Sequence, residues 1–160
     1  MVKRYQCILV AVDFSPYSQR ALARGAMMAA HCDAQLHLLH VVEAPTYPVL
    51  EDVAVMGLPG MWDAEVTQAL MAAAKKRLQQ MAAQLSLENV EIDVLVGTAK
   101  VDIVEHAQQI GAELIVLGRH GEGFLQSLIG SVTDSVMHHA HCDVLAVNLE
   151  SDEEGLKNGS

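Results

Sequence analysis

The chain has 160 residues, 51% of them hydrophobic but only 4% aromatic, and a formal net charge of −10. That length suits one domain with an aliphatic core, as in a parallel sheet covered by helices. The acidic balance repels nucleic-acid phosphate and anionic membrane surfaces and excludes both as general partners.

No apolar run approaches a membrane span, no signal-peptide core precedes the first strand, and three cysteines lack metal spacing. A cytoplasmic protein with reduced thiols is expected. The first predicted element is Cys7-Ile8-Leu9-Val10-Ala11-Val12, a continuous apolar run of the kind buried on both faces of a parallel sheet, closed by Asp13. Ser15-Pro16 reads as the N-cap and first residue of a helix whose buried side carries Leu22, Ala26, Ala29 and Ala30. A second strand spans residues 36–42 and contains His37 and His40.

Residues 43–61 hold three of the four prolines together with Gly57 and Gly60. Val53, Met56, Leu58 and Met61 make this connection too apolar for a solvated linker. A mobile flap is expected, folding over a ligand, a partner chain or its own domain. A second helix is predicted over residues 63–86, with Val66, Leu70, Ala74, Leu78, Met81 and Leu85 on one face. Residues 90–96 alternate as an edge strand does. Gly97 turns the chain, Thr98 caps a third helix striped with Ile103, Val104, Ala107 and Ile110, and Gly111 ends it. A buried strand over 113–117 then meets the sequence Gly118-Arg119-His120-Gly121. A helical pattern runs from Leu125 through Leu128, Ile129, Val132, Val136 and Met137. Val144-Leu145-Ala146-Val147 is the fifth strand. Residues 1–149 thus form one domain, and the acidic segment 150–160 is expected to be a disordered tail.

Alternation of five strands with four helices gives an α/β fold: an open parallel sheet with helices on both faces. Such sheets bind ligands beyond the carboxyl ends of their strands, where the strand order reverses. Asp13 and Gly118 both lie at carboxyl ends. Strand, glycine turn, then helix is the order of a phosphate cradle. Glycines admit a ligand to the backbone, and the amides of a helix start attract anions. Ser131, Thr133 and Ser135 are the expected hydroxyl donors, and Arg119 is the fixed cation of the loop. The spacing fits neither a P-loop nor G-x-G-x-x-G, so a plain chain-reversing turn is the alternative.

These residues resemble the universal stress protein family across nearly the whole chain. The resemblance is carried by Ile8-Leu9-Val10-Ala11-Val12-Asp13-Phe14-Ser15, by Leu38-Leu39-His40-Val41, and by Gly97. It is most specific in Leu117-Gly118-Arg119-His120-Gly121 leading to Gly130-Ser131-Val132-Thr133, with Cys142-Asp143-Val144-Leu145-Ala146-Val147 at the end. It implies a Rossmann-like sheet of the adenine nucleotide alpha hydrolase type, in the order 3-2-1-4-5, and a homodimer paired through the fifth strand. For the ATP-binding branch it implies that Asp13 and the Val41 backbone hold adenosine. Gly118, Gly121, Gly130, Ser131, Val132 and Thr133 would hold ribose and phosphates, with Mg²⁺ accompanying ATP. That branch has nine residues between the second and third glycines; this chain has eight, from Glu122 to Ile129. Three functions follow as expectations: an ATP-binding regulator of the stress response, a dimeric interaction module without nucleotide, and a slow ATPase. The paired sequences Ala30-His31-Cys32-Asp33 and Ala140-His141-Cys142-Asp143 read as helix ends handing over to strands, with metal binding as the sharper alternative. No Ser/His/Asp or paired-carboxylate arrangement emerges.

Overall fold

The computed structural model describes residues 4–43, 64–120 and 129–149. Strand β1 (Cys7–Ala11), helix α1 (Pro16–Cys32) and strand β2 (Gln35–Val42) come first. They are followed by α2 (Ala64–Ala83), β3 (Val90–Val96), α3 (Ala99–Ile110), β4 (Leu114–Gly118), α4 (Ser131–His139) and β5 (Asp143–Val147). Among the described residues the strands form one parallel sheet in the order β3-β2-β1-β4-β5. This is the strand order that the resemblance implies.

Side-chain alternation along the central strands divides the core into two layers. Ile8 and Val10 of β1, with Leu114 and Val116 of β4, meet Ala21, Leu22 and Ala29 of α1 and Leu78 of α2. Leu9 and Ala11, with Ile115 and Leu117, face the other way, against Ile103 and Ala107 of α3 and Val136 of α4. Both central strands are therefore buried on both faces, which is why they read as unbroken apolar runs. The edge strands β3 and β5 are only part-buried, as their mixed sequences require.

Local chemistry sets the helix ends. Ser15 Oγ accepts a hydrogen bond from the Ser18 amide at 3.2 Å, and Pro16 opens α1. Asp33, in the left-handed region at φ 56°, and Gly111, at φ 69°, close α1 and α3 by donating their backbone N–H groups into the last turn. Thr98 precedes α3, but its hydroxyl caps nothing. Instead Asp102 Oδ2 accepts the Thr98 amide at 2.6 Å, and Glu43 Oε1 accepts the Ala99 amide at 2.7 Å. Two carboxylates do the capping, a favourable arrangement at the positive end of a helix.

Three expectations are corrected. Helix α4 begins at Ser131; Ile129 lies before it and is exposed, while Leu125 and Leu128 fall outside the described residues. Val66 and Leu70, expected on the buried face of α2, are 42% and 41% exposed; the buried residues of that helix are Ala74 and Leu78, and Leu78 is the one that joins the core layer. Val96 is exposed at the end of β3, although Val90, Ile92 and Val94 pack inward as the alternation requires. The flap expected over 43–61 lies outside the described residues except for Glu43, and the acidic tail lies wholly outside them.

Candidate functional site

The chain winds from β1 outward to β3 and then returns to place β4 on the other side of β1. The carboxyl ends of β1 and β4 diverge there, and a cavity of about 520 Å³ opens between them. Its floor is Ala11, Leu39 and Leu117. One wall is Val12, Asp13 and residues 40–43; the other is Gly118, His120 and residues 130–133. Leu70, Ala99 and Ile103 add an apolar side.

Of the residues expected to bind ligand, Asp13, Val41, Gly118, Gly130, Ser131, Val132 and Thr133 all line this cavity. Gly121 lies outside the described residues. Arg119 is not among the lining residues. Its backbone instead fastens the loop: the Arg119 amide donates to Val147 O at 2.8 Å, and Arg119 O accepts the Gly130 amide at 2.9 Å. That second bond clamps the two ends of the 120–129 segment, so eight intervening residues still bring Gly130 back to the end of β4.

The two described glycines of the motif differ in what they require. A Cβ on Gly118 would lie 2.6 Å from Tyr17 Cβ and 3.0 Å from Tyr17 backbone carbon, so the close approach of α1 accounts for that glycine by itself. Gly130 has φ −58° and ψ 147°, which any residue adopts. Its lack of a side chain is not demanded by its backbone, and it is buried at the cavity wall. The first intrahelical bond of α4 is Asp134 N–H to Gly130 O, 2.9 Å. The amides of Ser131, Val132 and Thr133 therefore have no acceptor within the helix, and among the described residues no side-chain cap reaches them.

The hydroxyls divide as well. Thr133 Oγ1 is buried and donates to Gly118 O at 2.7 Å, tying α4 to β4 rather than facing a ligand. Ser135 Oγ sits 3.5 Å from His139 Nδ1 and does not line the cavity. Ser131, exposed and lining the cavity, is the remaining hydroxyl of the three.

Across the cavity, Asp13 Oδ1 accepts the Ser15 amide at 3.0 Å, and the chain turns through Phe14 at φ 64°. His40 Nδ1 is 2.6 Å from Val12 O, so that nitrogen carries the proton and donates. The Phe14 ring lies 4.6 Å from the His40 ring, with the Arg77 guanidinium 4.1 Å from the Phe14 centroid. The cavity is thus polarised: carboxylates of Asp13 and Glu43 on the β1–β2 side, the first amides of α4 on the other, and aliphatic side chains between. An anionic group suits one end, and a hydrogen-bond donor suits the other.

Ser18, His40, Glu43 and His120 are lining residues that pattern reading did not assign to the site. His40 and His120 sit inside the two motifs that carried the resemblance, a signal that was available. Glu43 follows β2 with no local pattern to mark it. His37 Nδ1 of β2 lies 3.7 Å from Asp93 Oδ2, which His106 Nε2 approaches at 3.0 Å. Among the described residues no group of His, Cys, Asp and Glu could hold a metal ion. Cys7, Cys32 and Cys142 do not line the cavity. Burial first, then Glu113, pushes the Cys7 thiol up; burial first, then Asp143, does the same to Cys142.

A model of the universal stress protein family matches residues 4–148. The chain belongs to that family. Universal stress protein A homolog 2 of Coxiella burnetii is 39% identical over 148 residues, covering 91% of this chain and 97% of its own. The solved structure of UspA from Lactobacillus plantarum has a TM-score of 0.68 at 34% identity, covering 90% of this chain and 98% of that one. A universal stress protein solved in complex with cAMP is 26% identical, with a TM-score of 0.65, covering 92% of this chain and 99% of its own. No described helix is long and apolar enough to cross a membrane.

Proposed function

We propose that this universal stress protein binds an adenine nucleotide, ATP with Mg²⁺ in the first instance, and uses its occupancy as a conformational signal in the stress response. The observation that carries the reading is Gly130. It is a buried glycine whose backbone conformation needs none, at the wall of a cavity where three helix-start amides lack acceptors among the described residues. Asp13 and the Val41 backbone on the opposite wall would take the adenosine, and Ser131, Val132 and Thr133 the phosphates. Gly118 and Gly121 complete the assignment by resemblance. The relative solved with cAMP supports an adenine ligand for this fold. Homodimerisation through β5 and a cytoplasmic location belong to the same proposal.

A second reading, an interaction module without nucleotide, draws on Gly118, whose missing side chain Tyr17 explains without a ligand. The two separate in one experiment. Protein purified under native conditions is denatured, and the released small molecules are identified. In parallel, ATP with Mg²⁺ at a hundredfold over Kd should stabilise the fold by about 2.7 kcal/mol, read as a rise in Tm. Gly130→Val should abolish the rise while circular dichroism stays native. No bound nucleotide, and no shift at millimolar ATP, would leave the interaction module. Release of inorganic phosphate during incubation would mark the slow ATPase.

A further inference from the structure

His120 is 3% exposed, lines the cavity, and has a buried Nδ1 with no hydrogen-bond partner among the described residues. The ring stands edge-on to Tyr17 of α1, with centroids 5.0 Å apart at 74°. A buried polar atom without a partner is unfavourable and calls for an explanation. His120 follows Gly118 by two residues and shares the cavity wall with Gly130 and Ser131, at the amide-bearing start of α4.

We propose that His120 contacts the phosphate of the bound adenine nucleotide and takes up a proton as the phosphate arrives, so that filling the cavity is coupled to pH. The proposal rests on the nucleotide reading above and adds the group that would make binding respond to acidity. Burial pushes the imidazole below its ordinary range, and the Arg119 guanidinium pushes the same way. The facing groups do not oppose this. Tyr17 meets the ring edge-on from α1. Asp13 and Glu43 line the cavity from the β1 and β2 sides, with Asp13 Oδ1 engaged by the Ser15 amide and Glu43 Oε1 by the Ala99 amide. His40 Nδ1 is turned to Val12 O, and Asp134 of α4 is exposed. A phosphate beside the ring would supply an anion and an acceptor together, and both favour the imidazolium.

The sign follows. The free-state pKa is lowered and the bound-state pKa is raised above it, so binding takes up a proton between the two. Affinity is then highest below the free-state pKa and falls as pH rises through the bound-state pKa.

The test is calorimetric titration of the full chain with AMP between about pH 5.5 and 8.5, on wild type and His120→Gln. The phosphate's own titration, with a second pKa of about 6, is common to both proteins and cancels in their ratio. A one-unit rise on binding corresponds to about a tenfold affinity change, so wild-type affinity should fall about tenfold more than the variant's across the range. Parallel profiles in the two proteins would overturn the proposal. Because a buried variant can fail to fold, the His120 ring resonances of wild type are also followed by NMR, with and without AMP. Their midpoint should move to higher pH with AMP, and an unmoved midpoint in nucleotide-bound protein would overturn the proposal equally. A wild type that binds neither AMP nor ATP with Mg²⁺ at any pH would instead sink the nucleotide reading beneath it.

Discussion

Gly118 and Gly130 belong to one motif and answer to different neighbours. At Gly118 the constraint is α1: Tyr17 occupies the space a methyl group would need. Gly118→Ala should therefore destabilise the fold by about 1–3 kcal/mol, the usual range for overpacking, with or without ligand. At Gly130 the backbone is already in an ordinary conformation. Gly130→Ala should change stability by less than about 1 kcal/mol, in either direction. Urea denaturation of the two variants checks the contrast. Equal losses would mean that Gly130 is held by packing, and the strongest support for the nucleotide reading would go. Thr133 adds a caution for mutagenesis. Its hydroxyl is committed to Gly118 O, so Thr133→Val would remove a buried tie between helix and strand before it tested any ligand contact.

At the scale of elements, the cavity depends on how α1 and α3 begin. Ser15 is buried, accepts the Ser18 amide with its hydroxyl, and donates its own amide to Asp13. Cap and cavity wall are thus one hydrogen-bonded turn. Ser15→Ala should cost about 0.5–2 kcal/mol through loss of the cap. It should also weaken ATP binding, because the turn that holds Asp13 loosens with it. Thermal melts with and without ATP separate the two effects: a fall in Tm with an unchanged ATP shift would show that the turn and the site are independent. Helix α3 is joined to the same cavity through Glu43, which caps it from the end of β2.

For the whole molecule, the open question is the sheet edge. Among the described residues strand β5 pairs with β4 alone, and its Val144-Leu145-Ala146-Val147 run is an edge of the kind that seeks a partner. We expect light scattering at micromolar concentration to give twice the 17.3 kDa of one chain. A monomeric mass there would remove the dimer. Dilution is a cleaner test than substitution, because Leu145 packs against the first core layer and a lysine there would disturb the monomer too. The charge of −10 opposes both self-association and anion binding at long range. The polarised cavity is where short-range dipoles must outweigh that field, and screening by salt should help them.

Periodicity along the chain was enough to predict five strands, four helices and a parallel sheet, because side-chain alternation and helical spacing are local properties. Asp13 and Gly118 could be placed at strand ends for the same reason, and the residues of the glycine motif pointed to the family although its spacing is one residue short of the ATP-binding branch. The strand order itself came from that resemblance, since no local pattern says which strands are neighbours. Only the tertiary structure decided which groups are still available to a ligand. Thr133 is satisfied by a carbonyl 15 residues away, His40 by one 28 residues away, and Glu43 by an amide 56 residues away. Tyr17 explains Gly118 from 101 residues away, and His120 is buried against the same Tyr17. A donor's availability depends on what the fold brings against it. That is fixed by packing between distant segments, and a one-dimensional pattern does not record it.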